Sequence, residues 1–297
     1  MRRLNAFLGK PAREKYDAVR SRWMRLLARL PYCPARYTMC PGAGESVNFW
    51  WSYVFMSFAP AKPVFEYCGS DVTYLRLIWK LLRPGMVFLD IGAFHGLYTM
   101  IAARRTAPTG RVIAFEPSPR DRRRLRLHAA MNRLANVEIE PYAVSASAGV
   151  SEFYVVRRGF TTMNSLRPPA TVDPVDRTVA PTVGLDEYCA RRAIRRVDFL
   201  KVDVEGGELD LFRGARAVLE DARPLILCEV LDWVTRPWGY EAREIVRHLR
   251  GHGYEWFEVD NGGNMRGHCE QVTYPEVKNY LAVPEERREI VEPLLRA

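Results

Sequence analysis

The sequence predicts an α/β fold: a doubly wound, mostly parallel sheet of seven strands, preceded by a helical and aromatic N-terminal extension. Three observations predict it. From Met86 onward, short apolar runs of strand length alternate with segments whose apolar residues recur at helical spacing. Two of those runs stop at an acid and pass into glycine, Asp90-Ile91-Gly92 and Asp203-Val204-Glu205-Gly206. The chain of 297 residues, 48% hydrophobic, is long enough for one large core plus an appendage. The expected division is an extension over 1–83 and a sheet domain over 84–297.

The extension carries the charge. The formal net charge is +9, and residues 1–60 hold ten Lys or Arg against three Asp or Glu. Such a leader attracts an anionic membrane face, a lipid-linked phosphate or nucleic acid, or is simply a solvated helix face. Pro11 to Leu30 has Tyr16, Val19, Trp23, Leu26, Leu27 and Leu30 at three- and four-residue steps, which predicts an amphipathic helix, broken by Pro31, Pro34, Pro41 and Gly42. The aromatic run Phe49 to Phe55 is a strand, a short helix or part of an acceptor pocket. The longest apolar run, Val47 to Phe58, is interrupted by Asn48 and Ser52 and too short to span a bilayer. The N-terminus lacks the pattern of a secretory signal. Six scattered cysteines and five dispersed histidines argue against a zinc site or a disulfide framework. A cytoplasmic protein, with contact to the inner membrane face through its basic end, is the expectation.

Asp71 N-caps a helix expected through Leu82, and Pro84-Gly85 turns the chain into strand one, which ends at Asp90. Gly92 and Gly96 frame a turn into a helix begun by Leu97, Met100 and Ile101. Arg111 to Phe115 is strand two and sets Glu116 at its end. The helix from Pro119 to Leu134 turns Leu125, Leu127, Met131 and Leu134 inward and leaves Arg122-Arg123-Arg124 solvated. Strand three, Val137 to Tyr142, ends near Ala143-Val144, and Gly149 to Val156 is a side strand or hairpin arm. Gly159 to Pro181, with Pro168, Pro169 and Pro174, reads as a long irregular connection of the kind that forms lids. Its Thr161, Thr162, Asn164 and Ser165 position a hydroxylated substrate or make ordinary turn hydrogen bonds. A short helix, Leu185 to Arg192, precedes strand four, Val197 to Val202, which leads into Asp203 and Glu205. Strand five, Pro224 to Cys228, delivers Glu229 to the same rim. A helix over Tyr240 to Arg250, strand six over Tyr254 to Val259 and a last strand over Asn279 to Val283 complete the sheet.

The two strand-end acids define a ligand. A strand, tight turn and helix leave backbone N–H groups facing a carboxylate or phosphate, while Asp90 accepts from an ammonium or hydroxyl. Dinucleotide sites use G-x-G-x-x-G, whereas this loop is Gly92-x-x-x-Gly96, with Phe94 and His95 between its glycines. That spacing argues against NAD. S-adenosyl-L-methionine, with an amino-acid end, a ribose and an adenine, needs a second acid one strand further on, and Glu116 supplies it. Strands one and four flank the expected switch point, so Asp203 faces Asp90 across the ligand. Asp203 and Glu205 suit a general base for a hydroxyl or a metal-binding pair; Glu205 and Glu208 alternatively serve the helix N-terminus. Lys201 is a snorkelling strand-end residue or a partner for one of these acids. Trp233, Trp238 and Tyr240 either offer flat faces to a polyol acceptor or cover the sheet edge.

Together these residues resemble the FkbM-type methyltransferases. The resemblance covers roughly Pro84 to Val283 and rests on ordered motifs: Asp90-Ile91-Gly92-Ala93 with Gly96 and Thr99; Phe115-Glu116-Pro117; Ala143-Val144 before Gly149; Asn164-Ser165-Leu166; Leu185-Asp186-Glu187-Tyr188; and Leu200-Lys201-Val202-Asp203-Val204-Glu205-Gly206 with Glu208. It implies a class I methyltransferase (Rossmann-like) sheet, S-adenosyl-L-methionine as cofactor, and O-methylation of a saccharide, lipid-linked glycan or secondary metabolite. Phe94 stands where the family usually has Asn, and Ser118 where it often has Asn. The cofactor set expected is Asp90, Gly92, Ala93, Phe94, His95, Gly96, Thr99, Glu116, Pro117, Ser118, Ala143 and Asp203. The catalytic set is Asp203, with Glu205 and Glu229 behind it, and no metal ligands are assigned. A nucleic-acid acceptor is disfavoured, since no Asn/Asp-Pro-Pro-Tyr/Phe segment is present; a non-catalytic protein of the same fold that binds a membrane or partner is the alternative from another class.

Overall fold

The computed structural model describes residues 36–42, 45–50, 71–157, 161–260 and 263–296. The expected helix over Pro11 to Leu30, nearly all of the basic leader and most of the aromatic run lie outside the described residues. Two strands, β1 (Arg36–Gly42) and β2 (Glu45–Trp50), pair antiparallel and carry the start of that aromatic run.

The first helix, α1 (Asp71–Leu81), precedes β3 (Val87–Ile91), α2 (Leu97–Thr106), β4 (Arg111–Phe115), α3 (Pro119–Met131) and β5 (Val137–Glu140). The chain then makes β6 (Ala143–Ser145), β7 (Gly149–Val156), β8 (Val175–Gly184), α4 (Leu185–Arg191), β9 (Phe199–Val202) and α5 (Glu208–Arg213). It ends with β10 (Leu225–Glu229), α6 (Asp232–Thr235), α7 (Arg243–Gly251), β11 (Tyr254–Val259), β12 (Met265–Gly267) and β13 (Asn279–Pro284).

The central sheet has the order β12-β11-β13-β10-β9-β3-β4-β5. β5, β4, β3, β9 and β10 run parallel, and β13 is antiparallel to both β10 and β11. This is the class I methyltransferase arrangement, with one addition: the expected seven strands are joined by β12, antiparallel to β11 at the edge. The chain winds outward from β3 in one direction and from β9 in the other, so the carboxyl ends of these neighbours form the switch point.

Alternate residues of each strand feed opposite cores, which is why these strands read as continuous apolar runs. Phe88, Val112 and Leu281 pack with Tyr74, Leu75, Ile78, Ile101 and Leu125 on one face. Leu89, Ile113, Leu200 and Ile226 pack with Leu185, Leu211, Phe212 and Leu249 on the other. The lead-in helix α1 is thus part of the first core.

Three expectations change. Leu127, expected inward on α3, is exposed. The single strand expected over Val137 to Tyr142 is two: β5 stays in the central sheet, and β6 leaves to pair parallel with β8. The irregular connection expected over Gly159 to Pro181 closes with the ten-residue β8, antiparallel to β7 and joined to it by Arg177–Glu152 and Arg157–Asp176 ion pairs. Its exposed, proline-containing sequence hides a hairpin arm whose pairing partner is remote from any apolar periodicity.

Candidate active site

The site is built from two turns that follow β3 and β9. Gly92 (φ +79°), Phe94 (φ +49°) and Gly96 (φ +88°) all adopt left-handed backbone in the first; Glu205 (φ +54°) and Gly206 (φ +98°) do so in the second. At Gly92 a Cβ would lie 1.8 Å from the Asp203 carbonyl oxygen, so the two turns touch there and no side chain fits. Left-handed backbone is comfortable for Asn and strained for Phe, which gives a physical reason for the Asn usual at position 94; here the Phe94 ring instead stacks on His95 with centroids 3.6 Å apart.

The first turn is closed on itself. The N–H groups of Gly92 and Ala93 donate to the Phe115 carbonyl at 3.1 and 3.0 Å, that of Phe94 to Glu116 Oε2 at 2.8 Å, and that of Gly96 to the Ala93 carbonyl at 2.7 Å. The expectation of unpaired loop donors facing a ligand anion is therefore corrected at these four positions: the end of β4, the Glu116 carboxyl beyond it and the turn's own Ala93 carbonyl satisfy them. Asp90 is fully buried, accepts from the Thr99 hydroxyl through Oδ2, and leaves Oδ1 without a partner among the described residues. Burial raises its carboxyl above the ordinary range, and Lys201 opposes that. Glu116 accepts the Phe94 N–H and, through Oε1 at 2.7 Å, the Ser118 N–H; burial pushes it up to about 8.

The second turn carries a crowd of acids around one ammonium. Lys201, buried in β9 beside Asp90, donates to Asp203 Oδ2 at 2.6 Å and lies 4.8 Å from the centre of the Tyr98 ring. Of the two readings of Lys201, partner of an acid is the one realised. Asp203 remains about a third exposed, at 32%. Glu205 is half-buried, and burial with Asp203 and Glu208 nearby raises its carboxyl well above the ordinary range. Glu208 is a structural cap: Oε1 accepts the N–H groups of Val204 at 3.0 Å and Gly206 at 3.3 Å, and burial pushes it up to about 7. Trp238 Nε1 donates to the Glu205 carbonyl at 3.1 Å and the Tyr240 hydroxyl to the Gly206 carbonyl at 2.7 Å. These aromatics thus clamp the turn, and Trp238 also walls the site.

Two adjoining cavities open over the turns and share Gly92, Phe94, Thr162 and Asp203. One reaches Ala93, His95, Leu97, Tyr98, Lys201 and Glu205. The other reaches Glu116, Pro117, Tyr142, Ala143, Asn164 and Trp238. Of the residues singled out in the sequence, Gly92, Ala93, Phe94, His95, Glu116, Pro117, Ala143, Asp203 and Glu205 line this cleft. Asp90, Gly96, Thr99 and Ser118 do not; they lie behind its lining and hold it in place. Ser118 caps α3, accepting the Asp121 N–H and donating its hydroxyl to Asp121 Oδ2 at 2.8 Å. Glu229 ends β10, mostly buried, and lines neither cavity; burial with Asp203 and Glu205 nearby raises its carboxyl well above the ordinary range.

Asn164 and Ser165 line the outer cavity and make long-range ties: Asn164 Nδ2 donates to Asp121 Oδ2 at 3.0 Å, and Ser165 Oγ to the Glu205 carbonyl at 2.8 Å. Sequence reasoning passed over Asp121, although Ser118-x-x-Asp121 has the spacing of a capping box. No group of three His, Cys, Asp or Glu able to hold a metal ion occurs among the described residues, and no helix among them is long and apolar enough to cross a membrane.

The chain is similar in sequence to known proteins. The methyltransferase FkbM domain matches residues 90–256. The 31-O-demethyl-FK506 methyltransferase FkbM of Streptomyces tacrolimicus is 32% identical over 214 residues, covering 62% of this chain and 78% of that protein. The 2-O-methyltransferase NoeI of Sinorhizobium fredii is 25% identical over 170 residues, covering 52% of this chain and 68% of that one. The AMB antimetabolite synthetase AmbE of Pseudomonas aeruginosa is 28% identical over 211 residues, 59% of this chain but 10% of the synthetase, so the match spans one segment of a far longer protein.

Proposed function

The chain belongs to the FkbM methyltransferase family, and on that premise we propose that it transfers the methyl group of S-adenosyl-L-methionine to a hydroxyl oxygen of a small-molecule or glycan acceptor. The observation that carries this reading is the set of carboxyl acceptors in the cleft. Asp203 and Glu205 line its inner cavity, Asp90 lies beneath with an orphaned oxygen, and Glu116 lines the outer cavity with a spare lone pair on each oxygen. Acceptors in excess suit a ligand rich in donors, and a compound with an α-ammonium group and ribose hydroxyls is one.

The residues present fit the donor. Each Glu116 oxygen accepts one backbone N–H and keeps a lone pair for a ribose hydroxyl. Pro117, Tyr142 and Ala143 offer the flat and apolar wall that an adenine needs. Lys201, Asp203 and His95 border the end suited to the amino-acid group. When bound, the cofactor supplies a methyl carbon activated by a positively charged sulfur. The chain then has to align an acceptor oxygen and take its proton late. Asp203 spends one carboxylate oxygen on Lys201 and has the other for orienting the acceptor hydroxyl. Glu205 lines the same inner cavity beside it, and the proton of the acceptor hydroxyl passes to Asp203. The loop bearing Thr162 to Leu166 lines the outer cavity.

Oxygen as the acceptor atom is supported by two relatives whose names specify O-methylation, at position 31 of demethyl-FK506 and at a 2-O position. Calorimetry of the purified chain with S-adenosyl-L-methionine and S-adenosylhomocysteine tests the donor; heat is expected with both, and none with either overturns the reading. Transfer of labelled methyl into extracts of glycans and hydroxylated metabolites tests the acceptor. Label found on nitrogen instead of oxygen overturns that assignment.

A further inference from the structure

A single buried carboxylate, that of Asp121, is joined to three separate walls of the cleft. Its Oδ1 lies 3.0 Å from His95 Nε2; its Oδ2 accepts from Ser118 Oγ at 2.8 Å and from Asn164 Nδ2 at 3.0 Å. Arg120 grips both oxygens. His95 belongs to the turn that lines the inner cavity, Ser118 follows Glu116 and Pro117, and Asn164 sits on the loop with Thr162, Ser165 and Leu166. The loop is tied at a second point to the same group: Asn164 Oδ1 accepts the Val156 N–H at 2.9 Å, and Arg120 Nη1 donates to the Val156 carbonyl at 2.8 Å.

The chemistry of these contacts makes them directional. Burial works to raise the Asp121 carboxyl, but hydrogen bonds from His95 and Arg120 hold it well below the ordinary range, so it is ionised and only accepts. Burial lowers His95 to about 4, so its ring is neutral, with Nε2 set between the Asp121 carboxylate and Arg124. Arg124 Nη1, 3.1 Å from the same nitrogen, adds positive charge beside the pair. Three walls that share one fully buried anion are coupled, because a wall that leaves takes a hydrogen-bond donor from it and leaves the remaining contacts, Arg120 among them, to hold the charge.

We infer that Asp121 is a positioning residue that makes the order of the Thr162–Leu166 loop depend on occupancy of the donor cleft. A ligand seated against Glu116 and the Gly92–Gly96 turn steadies His95 and Ser118, these steady Asp121, and Asn164 then draws the loop over the site. The inference rests on the donor reading above.

Hydrogen exchange of the full chain, followed by mass spectrometry with and without saturating S-adenosylhomocysteine, tests it. In the unaltered protein the compound is expected to slow exchange both in peptides over 92–98 and in peptides over 161–167. In Asn164→Ala the first protection persists and the second is lost. Equal loop protection in Asn164→Ala overturns the inference, as does an unprotected loop in the unaltered protein whose 92–98 peptides are protected. A purely structural role for Asn164 would raise loop exchange equally with and without the compound, and that result also overturns it. Absence of calorimetric heat with the compound is a separate failure, that of the donor reading, and takes the coupling with it.

Discussion

The two turns at the switch point share a plan and differ in what is left over. Both follow a strand-end acid, both use left-handed backbone, and both open a helix. In the turn after β3 the acid is wholly buried and four consecutive or nearby N–H groups are consumed internally. In the turn after β9 the acid stays about a third exposed, at 32%, and a second, half-buried acid stands two residues on. The first turn is scaffold whose value lies in its exact shape; the second keeps chemistry in reserve. An acid at a strand end therefore identifies a switch point, but its exposure decides whether it meets a ligand.

That contrast breaks most severely at the contact between the turns. Gly92→Ala would press a methyl group into the Asp203 carbonyl at a left-handed position, and a stability loss on the order of 4 kcal/mol is expected in denaturant unfolding. An unchanged midpoint would show that the turns are not in register. Asp203→Asn leaves the scaffold intact and should lower methyl transfer by roughly a hundredfold, with affinity for S-adenosylhomocysteine held within a few-fold by calorimetry. Equal losses in both would place Asp203 in donor binding alone.

The scaffold side has a pH signature. Glu116 is pushed up to about 8 and Glu208 to about 7, both by burial. Between the ordinary glutamate range and those values the folded chain holds protons the unfolded chain has released, so stability falls as pH rises from 5 to 8. His95, lowered to about 4, works the other way below about pH 6.5, and the expected net loss is on the order of 4 kcal/mol, read from melting midpoints across that interval. A midpoint that rises with pH would mean that the backbone N–H donors outweigh burial at these carboxyls. Smaller still, Trp238→Phe removes the indole donor to the Glu205 carbonyl and should cost about 1 kcal/mol. Last, Phe94→Asn relieves left-handed strain but gives up the ring stack on His95. The two offset, and a change within about 0.5 kcal/mol is expected; a larger loss would show that the stack holds the turn.

Much of the site was legible because strand-end acids advertise themselves. Glu116, Gly92, Ala93, Phe94, Asp203 and Glu205 were named from local pattern and line the cleft. Glu229 was named on the same logic and lines neither cavity, since reaching a rim does not fix the direction in which a side chain looks. Asp121 left only a capping-box spacing, because its partners His95 and Asn164 are 26 and 43 residues away in the chain.

The alternation of apolar runs with helical spacing, the glycine turns and the acids that precede them determined the parallel sheet, its switch point and the family, since periodicity and backbone freedom are local properties of a chain. Only the tertiary structure decided that β6 and β8 leave the main sheet, that β12 extends its edge, that Lys201 pairs with Asp203, and which acids are buried out of reach of a ligand. Those outcomes depend on pairings and desolvation between segments far apart in sequence, and no local pattern encodes how much water a carboxylate will keep.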